Sequence, residues 1–141
     1  GRGSATSFDL PYTGEIGRGW GDSEPDVGGG TLRWSVSVTP VINISLASAS
    51  DLALEFRVAE WLAPDVIDSL TLTVNDTAIP LTYEAGRPKG RVYRGVLPRD
   101  VIARSGAPTQ LMYHVSRLTP VPTAPGEQLG FALSSLRLRP R

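Results

Sequence analysis

The 141-residue chain has no cysteine, one histidine and one methionine, and its fourteen basic side chains are balanced by fourteen acidic ones. Without cysteine there is no disulfide framework and no thiolate metal site, and a domain of this length can hold a core without such staples. A formal net charge of zero provides no long-range field to gather phosphates or anionic lipid, so the main driving term of nucleic-acid binding is missing. No apolar run approaches the roughly 20 residues that cross a bilayer, and membrane insertion is not expected. The opening Gly1-Arg2-Gly3-Ser4 lacks the apolar stretch of a signal peptide and reads as an appended remnant. Residues 1–18 read as a lead-in with a short first strand around Phe8 and Leu10, and residues 19–141 as one domain with one core.

Turns, by contrast, are abundant: fifteen glycines and twelve prolines punctuate short runs with strand periodicity. Leu32, Trp34, Val36 and Val38 alternate with Arg33, Ser35 and Ser37 until Pro40, which predicts a half-buried strand with Trp34 in the core. Ile42, Ile44 and Leu46 repeat the pattern, and Leu52, Leu54, Phe56 and Val58 against Glu55 and Arg57 give its clearest instance. Asn75-Asp76 tolerates the positive φ of a tight hairpin. With Val74 facing Thr77, Leu72 meets Ile79 and Leu70 meets Leu81, so both strands present one apolar face. Pro80 makes the returning strand an edge.

Further along, Arg91 to Leu97 is rich in β-formers without clean alternation, and Pro98 to Arg104, closed by Gly106, reads as one short helical turn. Leu111, Tyr113 and Val115 form another strand. The proline-rich stretch Thr119 to Gly126 reads as a loop too long for a hairpin turn. In the final strand the apolar phase changes from Leu129, Phe131 and Leu133 to Leu136 and Leu138, which predicts a β-bulge at Ser134-Ser135. Eight or nine strands at intervals near ten residues define the expected fold: an all-β, antiparallel jelly-roll-type sandwich, with its first and last strands in contact.

Common catalytic patterns are missing. His114 falls on the polar face of its strand with no nucleophile beside it, and Gly28-Gly29-Gly30 leads into a strand rather than a helix N-terminus. Asp22, Glu24, Asp26, Glu60 and Glu127 are the acids from which a glycosidase pair would have to come, and no spacing fixes two of them at a productive separation. Asp22, Glu24 and Asp26 also resemble the opening of a calcium loop, but Val27 stands where an EF-hand needs glycine and Arg33 where it needs glutamate. A structural calcium at these three acids is the one cofactor considered; the alternative is a turn in which Ser23 and Asp26 satisfy backbone amides.

Glycan recognition needs a flat ring to stack on sugar C–H faces and polar groups to bond the hydroxyls. Two places combine these types: Trp20 with Asp22 and Glu24, and Glu60-Trp61 at a strand end. Taken together, Gly19-Trp20, Glu24, Arg33-Trp34, the Val74-Asn75 hairpin, Val96-Leu97-Pro98 and Leu129-Gly130-Phe131-Ala132-Leu133 resemble a bacterial β-sandwich module. It is similar to carbohydrate-binding modules and galactose-binding-like domains found with glycosyltransferases of polysaccharide assembly. The resemblance runs from Gly19 to Leu138, with Trp20, Glu24, Arg33, Trp34 and Gly130 as its pattern positions. Glu127-Gln128 departs from the acidic-basic pair of that pattern. It implies a bacterial, envelope-linked, non-catalytic accessory module whose partner is a glycan or a polysaccharide-assembly protein. The alternative is a structural or protein-interaction domain of a larger protein.

Overall fold

The computed structural model describes residues 6–9, 17–26, 30–46, 50–102 and 108–141. Its strands are β1 (Thr6–Asp9), β2 (Trp20–Pro25), β3 (Thr31–Ser35), β4 (Val41–Ile44), β5 (Leu52–Trp61), β6 (Thr71–Val74), β7 (Thr77–Ala78), β8 (Thr82–Ala85), β9 (Arg91–Leu97), β10 (Thr109–His114), β11 (Thr119–Val121), β12 (Ala124–Leu129) and β13 (Phe131–Pro140). They form a large antiparallel sheet in the order β2-β3-β13-β5-β9-β8, with β1 also on β13, a smaller sheet β4-β10-β6-β7, and a separate ribbon β11-β12. From β3 to β6 successive strands alternate between the sheets, and β9, β10 and β13 alternate again. This is the winding of a jelly roll, and the all-β sandwich read from the sequence is the fold. First and last strands meet as expected, with Phe8 opposite Leu136.

Leu52, Leu54, Phe56 and Val58 of β5 turn inward, where they join Leu72 and Val74 of β6, Leu111 and Tyr113 of β10, and Leu136 and Leu138 of β13. Removing each large side chain from water contributes about 1.5–3 kcal/mol, which makes this shared face the main source of stability. At its centre Phe56 stacks on Tyr93 at 4.8 Å and meets Tyr113 edge-on at 5.0 Å. The hairpin register is the expected one: Val74 faces Thr77, the amide of Ile79 donates to the carbonyl of Leu72, and φ is 47° at Asn75 and 69° at Asp76. As Pro80 requires, β7 lies at the edge of its sheet.

The bulge in β13 is also present, and it has a counterpart. Leu133 pairs with Val58 and Ser135 with Arg57, leaving Ser134 as the extra residue; one step earlier Ala132 pairs with Glu60, leaving Ala59 extra on β5. The two irregularities place Ala59 and Ala132 in a second small apolar cluster with Leu32, against which Trp34 packs. Trp34 is therefore not part of the main core. The alternation of β3 is real but its apolar phase serves this second cluster, while Ser35, from the opposite phase, is fully buried and accepts a hydrogen bond from the amide of Phe131.

Three further readings are corrected or refined. The proline-rich stretch is a hairpin, β11 to β12, with Val121 opposite Ala124; Pro122 presets the φ of a turn, and a two-stranded ribbon has free ladder edges that tolerate proline. The helical turn after Pro98 is a 3-10 turn over Arg99–Val101, and residues 103–107 lie outside the described ones. The one helical turn expected is joined by a second that the sequence reading did not include, α1 (Pro64–Asp68), which begins with proline in its first turn and buries Val66 and Ile67. Among the described residues no helix is long and apolar enough to cross a membrane.

Candidate functional site

Trp20 was a candidate stacking ring, and its surroundings give it another task. Its edge meets Tyr113 at 6.0 Å and Phe131 at 5.8 Å, and its indole N–H donates to the carbonyl of Val41 at 3.0 Å. Gly19, at φ +92° and packed against Pro40, turns the chain so that the ring closes the end of the core. Asp22 and Glu24 stay exposed on β2, so Trp20 and its two neighbouring acids do not form one site.

The calcium candidate also comes apart. Residues two apart in a strand are separated by roughly 6–7 Å, and Asp26 is drawn away from the other two acids. Its carboxylate is buried and bonded to Arg57 at 2.6 Å, while its amide donates to the carbonyl of Gly30 in a turn. Among the described residues no three acidic or histidine side chains are grouped to hold a metal ion. Glu127 and His114 are exposed.

Glu60-Trp61 lies in a richer setting. The bulge at Ala59 re-aims the end of β5, and Trp61 pairs with Phe131 and packs on the margin of the core. The guanidinium of Arg91 on β9 lies 5.3 Å from the Trp61 ring centroid and 4.2 Å from that of Tyr83 on β8. The same guanidinium donates to Asp68, at the end of α1, at 2.9 Å and to the Tyr93 hydroxyl at 3.4 Å. Burial works against the charge of Arg91, and the bonds to Tyr93 and Asp68 outweigh it, raising its pKa. Tyr83 is 55% exposed, and it lies on the edge strand of the large sheet. β9 lies between β5 and β8, which puts its Arg91 within reach of one ring from each neighbouring strand.

Next to Trp61 a cleft of about 170 Å³ is lined by Ala59, Glu60, Lys89 and Gly90, and Lys89 reaches Glu60 at 3.5 Å across it. This is below the size of a drug-like pocket and suits a single small ring. Gly90, at φ +88°, sits against the carbonyl of Val58, so any β-carbon there would collide with the backbone. Of the expected site residues, Glu60 and Trp61 are thus brought together with Lys89, Arg91, Tyr83 and Asp68, which sequence reading missed. The available signal was the repeat of Tyr83, Arg91 and Tyr93 around a glycine-proline turn.

No protein-family model, curated protein or solved structure matches the chain.

Proposed function

We propose that the domain is a non-catalytic glycan-recognition module whose anchor is the corner formed by Trp61, Tyr83 and Arg91. The observation that carries this reading is the guanidinium held between two incompletely buried rings and fixed by Asp68. Rings of this kind offer flat apolar surface to sugar C–H groups, and a bound guanidinium keeps spare N–H donors for hydroxyls. Glu60 and Lys89, paired at the small cleft beside Trp61, add an acceptor and a donor. Both acids of the corner are already neutralised, Asp68 by Arg91 and Glu60 by Lys89, which suits ligand contacts rather than acid-base chemistry. A role beside a polysaccharide-assembly partner follows from the sequence resemblance.

The test is a glycan array followed by calorimetric titration of the best ligand against Trp61→Ala and Tyr83→Ala. Each substitution is expected to weaken binding at least tenfold while leaving the thermal midpoint within a few degrees, because both rings lie at the margin of the core. A blank array, or both variants binding like the parent, would sink the reading.

A further inference from the structure

The second face of the large sheet, opposite the core, carries a run of arginines that the glycan corner does not use. Glu55 and Arg57 on β5, Arg94 on β9, and Arg137 and Arg139 on β13 alternate with the core residues Leu54, Phe56, Tyr93, Leu136 and Leu138, and so point outward. Ala53, Leu54, Glu55, Arg94, Gly95, Arg137 and Arg139 line a groove of about 280 Å³. Ala53, a small exposed residue, leaves room at its floor. A neighbouring hollow of about 240 Å³ includes Asp26, Thr31, Arg57, Ser135 and again Arg137, so the two hollows meet at Arg137 on this face of the sheet.

The charges in this track are unevenly satisfied. Arg94 is shared by Glu55 at 3.2 Å and Glu84 at 2.8 Å, and Arg57 is committed to Asp26. Arg137 stands 4.0 Å from Glu55, at the limit of an ion pair, and Arg139 is exposed and pairs with no acid among the described residues. Arg137 and Arg139 are two apart on one strand, so both side chains leave the same face from Cα atoms roughly 6–7 Å apart. Planar forked donors at this spacing fit carboxylates presented along an extended chain.

We infer that this face binds a carboxylate-bearing polysaccharide, with Arg137 and Arg139 receiving its acid groups. The inference rests on the glycan reading and adds a second contact surface and the sign of the polymer's charge. Arg94, Arg137 and Arg139 outnumber the one acid of the groove, Glu55, and beside them it has only Ala53, Gly95 and the core residue Leu54, which suits a polyuronate better than a peptide with apolar anchors.

The experiment is affinity electrophoresis, with the parent chain, Arg137→Gln/Arg139→Gln and Trp61→Ala run through gels containing polygalacturonate, the same polymer with its carboxyls reduced to alcohols, or dextran sulfate. The expected result is retardation by polygalacturonate that weakens in salt and falls at least tenfold in the double arginine variant, while Trp61→Ala, on the core side of the sheet, keeps the difference between the acidic and the reduced polymer. Dextran sulfate retarding the chain more than polygalacturonate would replace a carboxylate preference by plain charge attraction and overturn the inference. Equal retardation by the acidic and reduced polymers, unaffected by the arginine changes, would also overturn it while leaving the glycan reading intact. Retardation by none of the three would overturn the inference, while the glycan reading stands or falls by its array. Thermal midpoints of all variants within a few degrees of the parent separate loss of binding from loss of fold.

Discussion

Tyr113 carries its hydroxyl into the centre of the sandwich, where the side chain is fully buried and the oxygen has no hydrogen-bond partner among the described residues. A buried polar group left unpaired costs about 1–3 kcal/mol, so Tyr113→Phe should leave stability unchanged or raise it by about 1 kcal/mol. Urea unfolding of the two forms measures this directly; a loss above about 1 kcal/mol would mean that the hydroxyl has a partner. Gly130 presents the opposite case. Any β-carbon there would press into the Ser35 hydroxyl, which is itself needed by the amide of Phe131. Gly130→Ala is therefore expected to cost about 2–3 kcal/mol through overpacking and a disturbed buried hydrogen bond. Its effect should be strongly non-additive with Ser35→Ala, read from the four denaturation midpoints of a double-mutant cycle. A fully additive cycle would separate the two residues.

At the scale of elements, the Asn75-Asp76 hairpin joins local and long-range structure. Beyond its positive φ, the Asn75 side chain donates to the carbonyl of Val101 at 2.6 Å and accepts from the amide of Gln110 at 2.9 Å. Asn75→Gly keeps the turn conformation and removes both bonds, so it should cost about 2 kcal/mol. Asp76→Gly, exposed and at positive φ, should be neutral or stabilising by a few tenths of a kcal/mol. Equal losses from the two changes, measured by thermal unfolding, would assign the turn's value to conformation alone. The hairpin, the bulge and the core phase of β5 were legible because each is written in neighbouring residues. The phase of β3 was not: alternation shows that two faces differ, and the bulges in β5 and β13 decided which apolar set Leu32 and Trp34 would join. Trp20 and Trp61 looked alike as rings among acids, and only distant partners separate them. Tyr113 and Phe131 take Trp20 into the core, while Arg91 and Tyr83 assemble the other corner from strands that no local pattern links to Trp61.

For the molecule as a whole, the pH dependence of stability is set more clearly at the alkaline end than at the acid one. On the acid side Asp65, bonded to Arg117 at two points, has its pKa lowered chiefly by that hydrogen bond. Its contribution is present above the unfolded value of 3.8 and lost as pH falls through the lower folded value, but the pair is exposed to solvent and screened. On the alkaline side burial raises the pKa of Tyr113, and burial likewise raises that of Tyr93, above the unfolded value of 10.0. Below that value both states hold the phenolic protons and stability is full. Above it the unfolded chain releases protons that the native state retains, so stability falls as pH rises toward the folded values. The slope approaches about 1.4 kcal/mol per pH unit for each such tyrosine. Unfolding free energy measured from pH 8 upward should therefore bend downward near pH 10, and Tyr113→Phe should make that descent shallower. An identical descent in both forms would place the ionising group elsewhere. This expectation ties the all-β core to its chemistry: the aromatic centre that closes the two sheets excludes water from Tyr113, and the same exclusion ties the fold to a neutral phenol.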